Sequence, residues 1–116
     1  MKRILIFSLA IILAASSCKS VYSTTSIDPK KSFVLGDNEH EAFEASLKNI
    51  SKENLELSQM PSGGTKTLLQ VLNPNKSATV KIEKNTALYI ENKTDNKASV
   101  ELNLKSATHL SMGYKN

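Results

Sequence analysis

Short apolar segments alternate with turn-forming residues from residue 32 to the last residue, and this rhythm restricts the fold more than any other feature. The segments recur at intervals of about ten residues, a spacing typical of sandwiches and barrels. Several of them alternate apolar and polar residues one by one, most clearly over residues 98–105, as expected for strands with one buried face. The pattern predicts an all-β domain: an antiparallel, immunoglobulin-like β-sandwich of seven or eight strands.

Two segments carry more specific expectations about the core. Residues 67–72 form a continuous apolar run, which predicts a strand that is covered on both faces. The last segment places Thr108, Leu110, Met112 and Tyr114 on one face, and this periodicity predicts that Met112 packs in the core.

Residues 37–54 allow two interpretations. Phe43, Leu47 and Ile50 have the spacing of one helix face. In a strand, Phe43, Ala45 and Leu47 would face inward instead. The strand is favoured because residues 46–51 echo residues 89–94, each ending a strand-like run before a second one begins.

The triplet Asn-x-Ser/Thr occurs at Asn49, Asn75 and Asn92. It matches the acceptor for N-glycosylation. Because Asn, Ser and Thr hydrogen-bond to nearby backbone, the triplets are better interpreted as turns between strands.

The N-terminus has the organisation of an export signal. A basic start at Lys2 and Arg3 is followed by an almost wholly apolar segment over residues 4–15, and Ser16 and Ser17 follow it. The apolar segment is shorter than the roughly 20 residues of a transmembrane helix, so an uncleaved anchor is the less favoured alternative. We therefore predict a signal peptide over residues 1–17, with its apolar segment as a signal helix.

Residues 13–18 read Leu-Ala-Ala-Ser-Ser-Cys and resemble the lipobox of bacterial lipoproteins. The resemblance implies cleavage before Cys18 and acylation of that residue. Two or more acyl chains would hold the protein stably on a membrane.

The residues after Cys18 bear on location and organisation. By resemblance to the sorting rules of other Gram-negative bacteria, Lys19 in place of Asp argues against retention in the inner membrane. Residues 19–22 lack the acidic cluster that marks surface display in some lineages, so an outer-membrane, periplasm-facing location is expected. Residues 18–31 are predicted to form the lipidated Cys and a flexible tether, because they are polar and hydroxyl-rich, and residues 32–116 to form the β-sandwich domain.

Size and charge exclude several classes of function. Removal of 17 residues from 116 leaves 99, enough for one modest core. The net charge of +4 falls to about +2 without Lys2 and Arg3, and the lysines are spread along the chain, so nucleic-acid binding is not expected. A single Cys cannot form an internal disulfide.

The sequence contains no phosphate-binding loop, zinc spacing or serine elbow, and Cys18 would be blocked by acylation. No enzymatic activity and no cofactor are therefore predicted. Asp37, Glu39, His40 and Glu41 form a polar cluster that could be a divalent-metal site or an acid/base site but is better interpreted as a solvated loop.

A copper site would draw on His40, Met60, His109 and Met112, since thioether and imidazole are suitable ligands. Residues three apart on a strand point to opposite faces, so His109 and Met112 could not chelate one ion from a regular strand. We therefore predict no metal site, and keep His40 and His109 as the candidates if there is one.

The leading hypothesis is a non-enzymatic, lipid-anchored interaction or structural module of the cell envelope, with the membrane and an envelope protein as partners. The alternative is a periplasmic lipoprotein that binds a ligand or metal through His40 and His109.

Overall fold

The computed structural model describes residues 20–106 and 109–116, and within them the chain forms nine β-strands and no helix. No helix in this described part is long and apolar enough to cross a membrane. The all-β prediction is therefore confirmed, although the described part has nine strands where seven or eight are predicted. The strands are β1 (Ser20–Ile27), β2 (Ser32–Leu35), β3 (Phe43–Asn49), β4 (Leu55–Pro61), β5 (Thr67–Leu72), β6 (Ser77–Ile82), β7 (Thr86–Glu91), β8 (Ala98–Lys105) and β9 (Met112–Lys115).

The strands form two antiparallel sheets that pack face to face. Sheet A has four strands in the order β1-β8-β3-β6, and sheet B has five in the order β5-β4-β7-β2-β9. Without β9, this is the strand order of a jelly roll, in which two Greek keys build eight strands into two sheets. The immunoglobulin-like part of the prediction is wrong, because immunoglobulin sheets place the first strand beside the second. Here β1 pairs with β8 instead.

The core lies between the sheets, and most strands contribute alternate residues to it. β3 and β8 show this alternation most clearly. Phe43, Ala45 and Leu47 of β3 point inward, which confirms the strand interpretation of residues 37–54. The other core side chains are Ile27, Phe33, Leu35, Leu55, Leu57, Leu72, Ile82, Leu88, Ile90, Ala98, Val100, Leu102 and Leu104.

The prediction of a flexible tether is wrong for residues 20–27. They form β1, which pairs with β8 along its whole length, from Ser20 opposite Lys105 to Ile27 opposite Ala98. Thr25 and Ile27 are buried. Thr, Val, Tyr and Ile favour strands, so the hydroxyl-rich sequence suits an edge strand as well as it suits a tether.

Two further predictions about burial are wrong. β5 is not covered on both faces: it lies at the edge of sheet B, and of its residues only Leu72 is buried. β9 lies at the opposite edge of the same sheet, where Met112 and Tyr114 are exposed and only Leu110, just before the strand, packs against the core. Thr108 lies outside the described residues.

The loops gather at two ends of the sandwich. β1 starts at what we call the entry end, defined by the loops over residues 36–42, 62–66 and 83–85. The far end is defined by the loops over residues 28–31, 50–54, 73–76 and 92–97. Backbone hydrogen bonds join the loops within each end, such as Asn85 N to His40 O at the entry end and Asn75 N to Asn49 O at the far end.

Candidate functional site

His40 is a buried residue of the entry end. Its Nδ1 lies 2.6 Å from the carbonyl oxygen of Glu41 and its Nε2 lies 2.9 Å from that of Thr86. The ring also packs edge-on against Phe43, with 5.3 Å between the ring centroids. Because both ring nitrogens face carbonyl oxygens, neither is left to bind a metal ion in this arrangement. His40 holds the loop over residues 36–42 to the start of β7.

Gly36 makes this position of His40 possible. Its φ of +82° is in the region that favours glycine, and a Cβ there would lie 2.7 Å from the Nε2 of His40.

His109 is exposed, and it is tied to the entry end through its backbone. Asn38 Nδ2 donates to the carbonyl oxygen of His109 at 2.7 Å, and Asn38 Oδ1 accepts from the backbone N of Ser111 at 3.1 Å. The side chains of His40 and His109 therefore have different surroundings, one inside the loop and one on the surface.

The two methionines of the candidate copper set also have separate surroundings. Met60 packs with Val34, Ala87 and Tyr89 on the outer face of sheet B. Met112 is 42% exposed on β9, so the prediction that it packs in the core is wrong. Within residues 20–106 and 109–116, no three His, Cys, Asp or Glu side chains come together as a possible metal site.

A polar cleft of about 330 Å³ opens at the entry end, between loop residues 36–39 and 61–64. Its acidic side chains belong to Asp37 and Glu39, which are both exposed. Asp37 Oδ2 accepts a hydrogen bond from Lys115 Nζ at 2.6 Å, and this bond holds the pKa of Lys115 above its usual range. The predicted solvated cluster is thus an exposed loop whose His40 is turned inward.

The outer face of sheet B is covered near Tyr89 by two lysine side chains. Lys66 Nζ lies 5.0 Å from the centroid of the Tyr89 ring and binds the carboxylate of Glu91, and Lys115 Nζ lies 6.0 Å from the same centroid. Lysine stems shield apolar surface while their charges stay in water. Both faces of β7 are consequently buried.

β5 differs from the rest of sheet B because its apolar side chains face solvent. Leu68 is 53% exposed, Leu69 37% and Val71 45%, and we call these three residues the β5 patch. Leu57 pairs with Gln70 and Ser58 with Leu68, so Leu69 is the extra residue of a β-bulge. A bulge re-aims side chains and disturbs the free edge of a strand.

The far end contains two turns of the same construction. Asn49 Nδ2 donates to the carbonyl oxygens of Glu53 (2.6 Å) and Leu72 (2.9 Å), and its Oδ1 accepts from the backbone N of Ser51 at 2.9 Å. This turn joins β3 to β4.

Asn92 repeats the arrangement between β7 and β8. Its Nδ2 donates to the carbonyl oxygens of Asn96 (2.7 Å) and Ile27 (3.0 Å), and its Oδ1 accepts from the backbone N of Thr94 at 3.0 Å. The two turns also meet, since Asn96 Nδ2 lies 3.3 Å from Glu53 Oε2. The echo between residues 46–51 and 89–94 therefore reflects equivalent positions in the fold, and the prediction that these triplets form turns is confirmed.

Residues 1–17 and Cys18 lie outside the described residues, so the signal peptide with its helix and the acylation of Cys18 stay predictions. Within the described part, the β5 patch is the feature best suited to binding a macromolecule, since exposed apolar surface on monomeric proteins marks sites of interaction.

Comparison with known proteins identifies a fold and no family. No family model matches the chain, and no curated protein matches it. Among solved structures, it is similar to an uncharacterised protein with a double-stranded β-helix domain from Klebsiella pneumoniae, with a TM-score of 0.54, 13% identity, and coverage of 84% of this chain and 75% of that one.

The chain is also similar to the Yersinia pseudotuberculosis-derived mitogen, with a TM-score of 0.51, 13% identity, and coverage of 78% of this chain and 88% of that one. The cupin domain of Drosophila melanogaster CENP-C gives a TM-score of 0.50 at 13% identity, covering 72% and 59% of the two chains. These likenesses agree with the jelly-roll strand order and concern the fold alone.

Proposed function

We propose that this chain is a lipid-anchored protein of the bacterial cell envelope whose domain binds a partner protein through β5 and catalyses no reaction. The signal-like residues 1–17 and the lipobox-like ending at Cys18 support attachment to a membrane, with an outer-membrane, periplasm-facing location. The observation that carries the binding function is the exposed and uncharged edge strand β5.

An edge strand presents unpaired N–H and C=O groups, and natural proteins usually protect such edges with charges, proline or bulges. The bulge at Leu69 is present in β5, but its six residues include no charge and no proline. The β5 patch adds three exposed aliphatic side chains to this edge. Such a strand is suited to contact with another protein.

The partner that fits this edge is an extended segment of another envelope protein. It would add to sheet B beside β5 through main-chain hydrogen bonds, and its alternate apolar side chains would cover Leu68 and Val71. The main-chain bonds would supply affinity, and the apolar contacts would supply specificity.

The absence of catalysis is part of the proposal. The two ring nitrogens of the buried His40 lie 2.6 and 2.9 Å from backbone carbonyl oxygens, which leaves neither open to a substrate or metal, and the described residues hold no cluster of three potential metal ligands. The double-stranded β-helix fold hosts proteins of unlike function, so the fold itself does not decide the question. The alternative, a lipoprotein that binds metal through His40 and His109, has less support because the two side chains have separate surroundings.

A photo-crosslinking residue in place of Leu69, in cells that make the full-length protein, tests the proposal. We expect one discrete adduct with a different protein, and we expect the double variant Leu68→Lys/Val71→Lys to abolish it. Thr24→Lys, a matched change at an exposed position of edge strand β1, should leave the adduct intact.

The absence of any adduct would contradict the proposal. An adduct between two copies of this chain would mean that β5 binds a second copy of the chain and not a different protein. Stoichiometric copper or zinc in the purified protein would favour the metal-binding alternative.

A further inference from the structure

β1 begins very close to the proposed site of acylation. Ser20 is already paired with Lys105 in sheet A, and it lies two residues after Cys18. Each residue of an extended chain spans at most about 3.6 Å, so the Cα atoms of residues 18 and 20 are separated by about 7 Å at most. A flexible tether over residues 18–31 would instead give a mean reach of roughly 20 Å.

The residue that begins β1 also determines which part of the domain faces the membrane. Sheet pairing places Ser20 in line with Lys105 and Glu44, at the entry end of the sandwich. A link of about 7 Å keeps the start of β1 at the bilayer, whereas the far end is separated from the entry end by about the length of a strand, which for β4 is about 23 Å over its seven residues.

Exposed side chains at the start of β1 suit contact with lipid. Val21 is 37% exposed and Tyr22 is 66% exposed, and they lie three and four residues from Cys18, respectively. Tyrosine is enriched at membrane–water interfaces because its ring is apolar while its hydroxyl remains hydrated.

We infer that the lipidated domain is seated directly on the lipid surface by its entry end, with Tyr22 beside the headgroups and the far end directed away from the bilayer. This inference rests on the proposed acylation of Cys18. The surface that the entry end contacts is the phospholipid headgroup layer, not another protein.

The seating also defines where a partner must be. β5 starts at the entry end and runs toward the far end, so its six residues rise about 20 Å from the lipid surface. The segment that binds β5 therefore lies close to the same membrane.

Fluorescent probes at the two ends test the seating in the full, acylated protein bound to zwitterionic phospholipid vesicles. Cys18 is the sole cysteine of the chain, so Ser62→Cys and Lys52→Cys each supply one reactive thiol once Cys18 is acylated. Both positions are exposed, Ser62 in an entry-end loop and Lys52 in a far-end loop. With nitroxide on the lipid headgroups, we expect the Ser62 probe to lose most of its emission and the Lys52 probe to keep its emission.

Insertion of a flexible Gly/Ser linker of 14 residues between Lys19 and Ser20 serves as the control, because a mean reach of about 20 Å frees the domain. It should restore the emission of the Ser62 probe. Equal quenching at both ends without the linker, or no quenching at either, would overturn the seating.

A second measurement of the seating uses fluorescent residues within strands instead of probes in loops. The chain has no tryptophan, so Tyr22→Trp and Tyr114→Trp each report one site, and the two tyrosines are similarly exposed at 66% and 59%. We expect vesicle binding to shift the emission of Trp at position 22 to the blue and to leave that at position 114 unchanged. No shift at position 22 would count against the inference.

Sedimentation separates failure of the seating from failure of the proposed attachment. If the protein does not sediment with vesicles and Cys18→Ser changes nothing, the proposed acylation is wrong. The proposed seating is then wrong as well, because it depends on acylation. If the protein sediments through Cys18 but the Ser62 probe is not quenched, the attachment stands and the seating is wrong.

Discussion

β5 and β7 are six-residue strands of the same sheet with similar apolar runs in the sequence, yet their burial is opposite. All six residues of β7 are buried, whereas in β5 only Leu72 is. β7 lies between β4 and β2, and β5 lies at the edge with β4 as its one neighbour in the sheet. A continuous apolar run thus indicates a strand, but the order of strands decides whether the run is covered.

The two strands also differ in how far other side chains cover them on the outer face of sheet B. Lys66 and Lys115 extend over Tyr89 and cover β7, but the β5 patch has no such cover among the described residues. The contrast separates a strand that stabilises the domain from a strand that is available for binding, and it can be tested by substitutions in order of expected effect.

Ile90→Ala should give the largest loss. Ile90 of β7 is fully buried in the core, and its truncation removes apolar contacts and leaves a cavity. We expect the free energy of unfolding to fall by about 2–5 kcal/mol. Urea denaturation followed by circular dichroism measures it, and a loss below about 1 kcal/mol would mean that β7 is not central to the core.

Asn92→Ala and Asn49→Ala should each cost about 1–3 kcal/mol, because each leaves buried carbonyl groups without a donor. Asn92 follows β7 and bonds the carbonyl of Ile27, while Asn49 bonds the carbonyl of Leu72, the buried end of β5. Similar losses in urea denaturation would show that the two turns are equivalent in energy as well as geometry. A neutral Asn49→Ala would mean that the end of β5 is held by its other contacts.

Much of the fold could be predicted from alternation alone. The core faces of β3 and β8 follow from residues that alternate strictly, and the turns at Asn49 and Asn92 follow from local chemistry that the side chains carry with them. The strand order could not be predicted in this way, because β1 pairs with a strand about 80 residues further along the chain.

The errors in burial have the same origin. Nothing local distinguishes an apolar run at an edge from one at the centre, so the sequence predicts a covered β5 and a buried Met112, whereas the structure exposes Met112 and all of β5 except Leu72. The sequence does not predict β1, because its inward positions include Ser23 and Thr25, which do not give an apolar alternation. The burial of His40 likewise depends on the carbonyl of Thr86, which only the fold brings to its ring.

Lys66→Met should have a smaller effect than the asparagine substitutions. Lys66 precedes β5 and binds Glu91 at the end of β7, so it joins the two strands that we compare. Its side chain is 42% exposed, and solvent weakens such a pair, so we expect a loss of about 1 kcal/mol or less. A double-mutant cycle with Glu91→Gln isolates the pair, and zero coupling would mean that Lys66 covers Tyr89 through its stem alone.

Leu68→Ala should have the smallest effect on the isolated domain, within about 0.5 kcal/mol, because the side chain is 53% exposed and already contacts water in the folded protein. The measurement should be made at two protein concentrations that differ widely. If the β5 patch is free in the isolated protein, the midpoint of urea denaturation is independent of concentration for both the wild type and the variant. If a second copy covers β5, the wild type becomes more stable as its concentration rises, and Leu68→Ala weakens that dependence. The outcome decides whether β5 is an open binding strand or one half of a dimer.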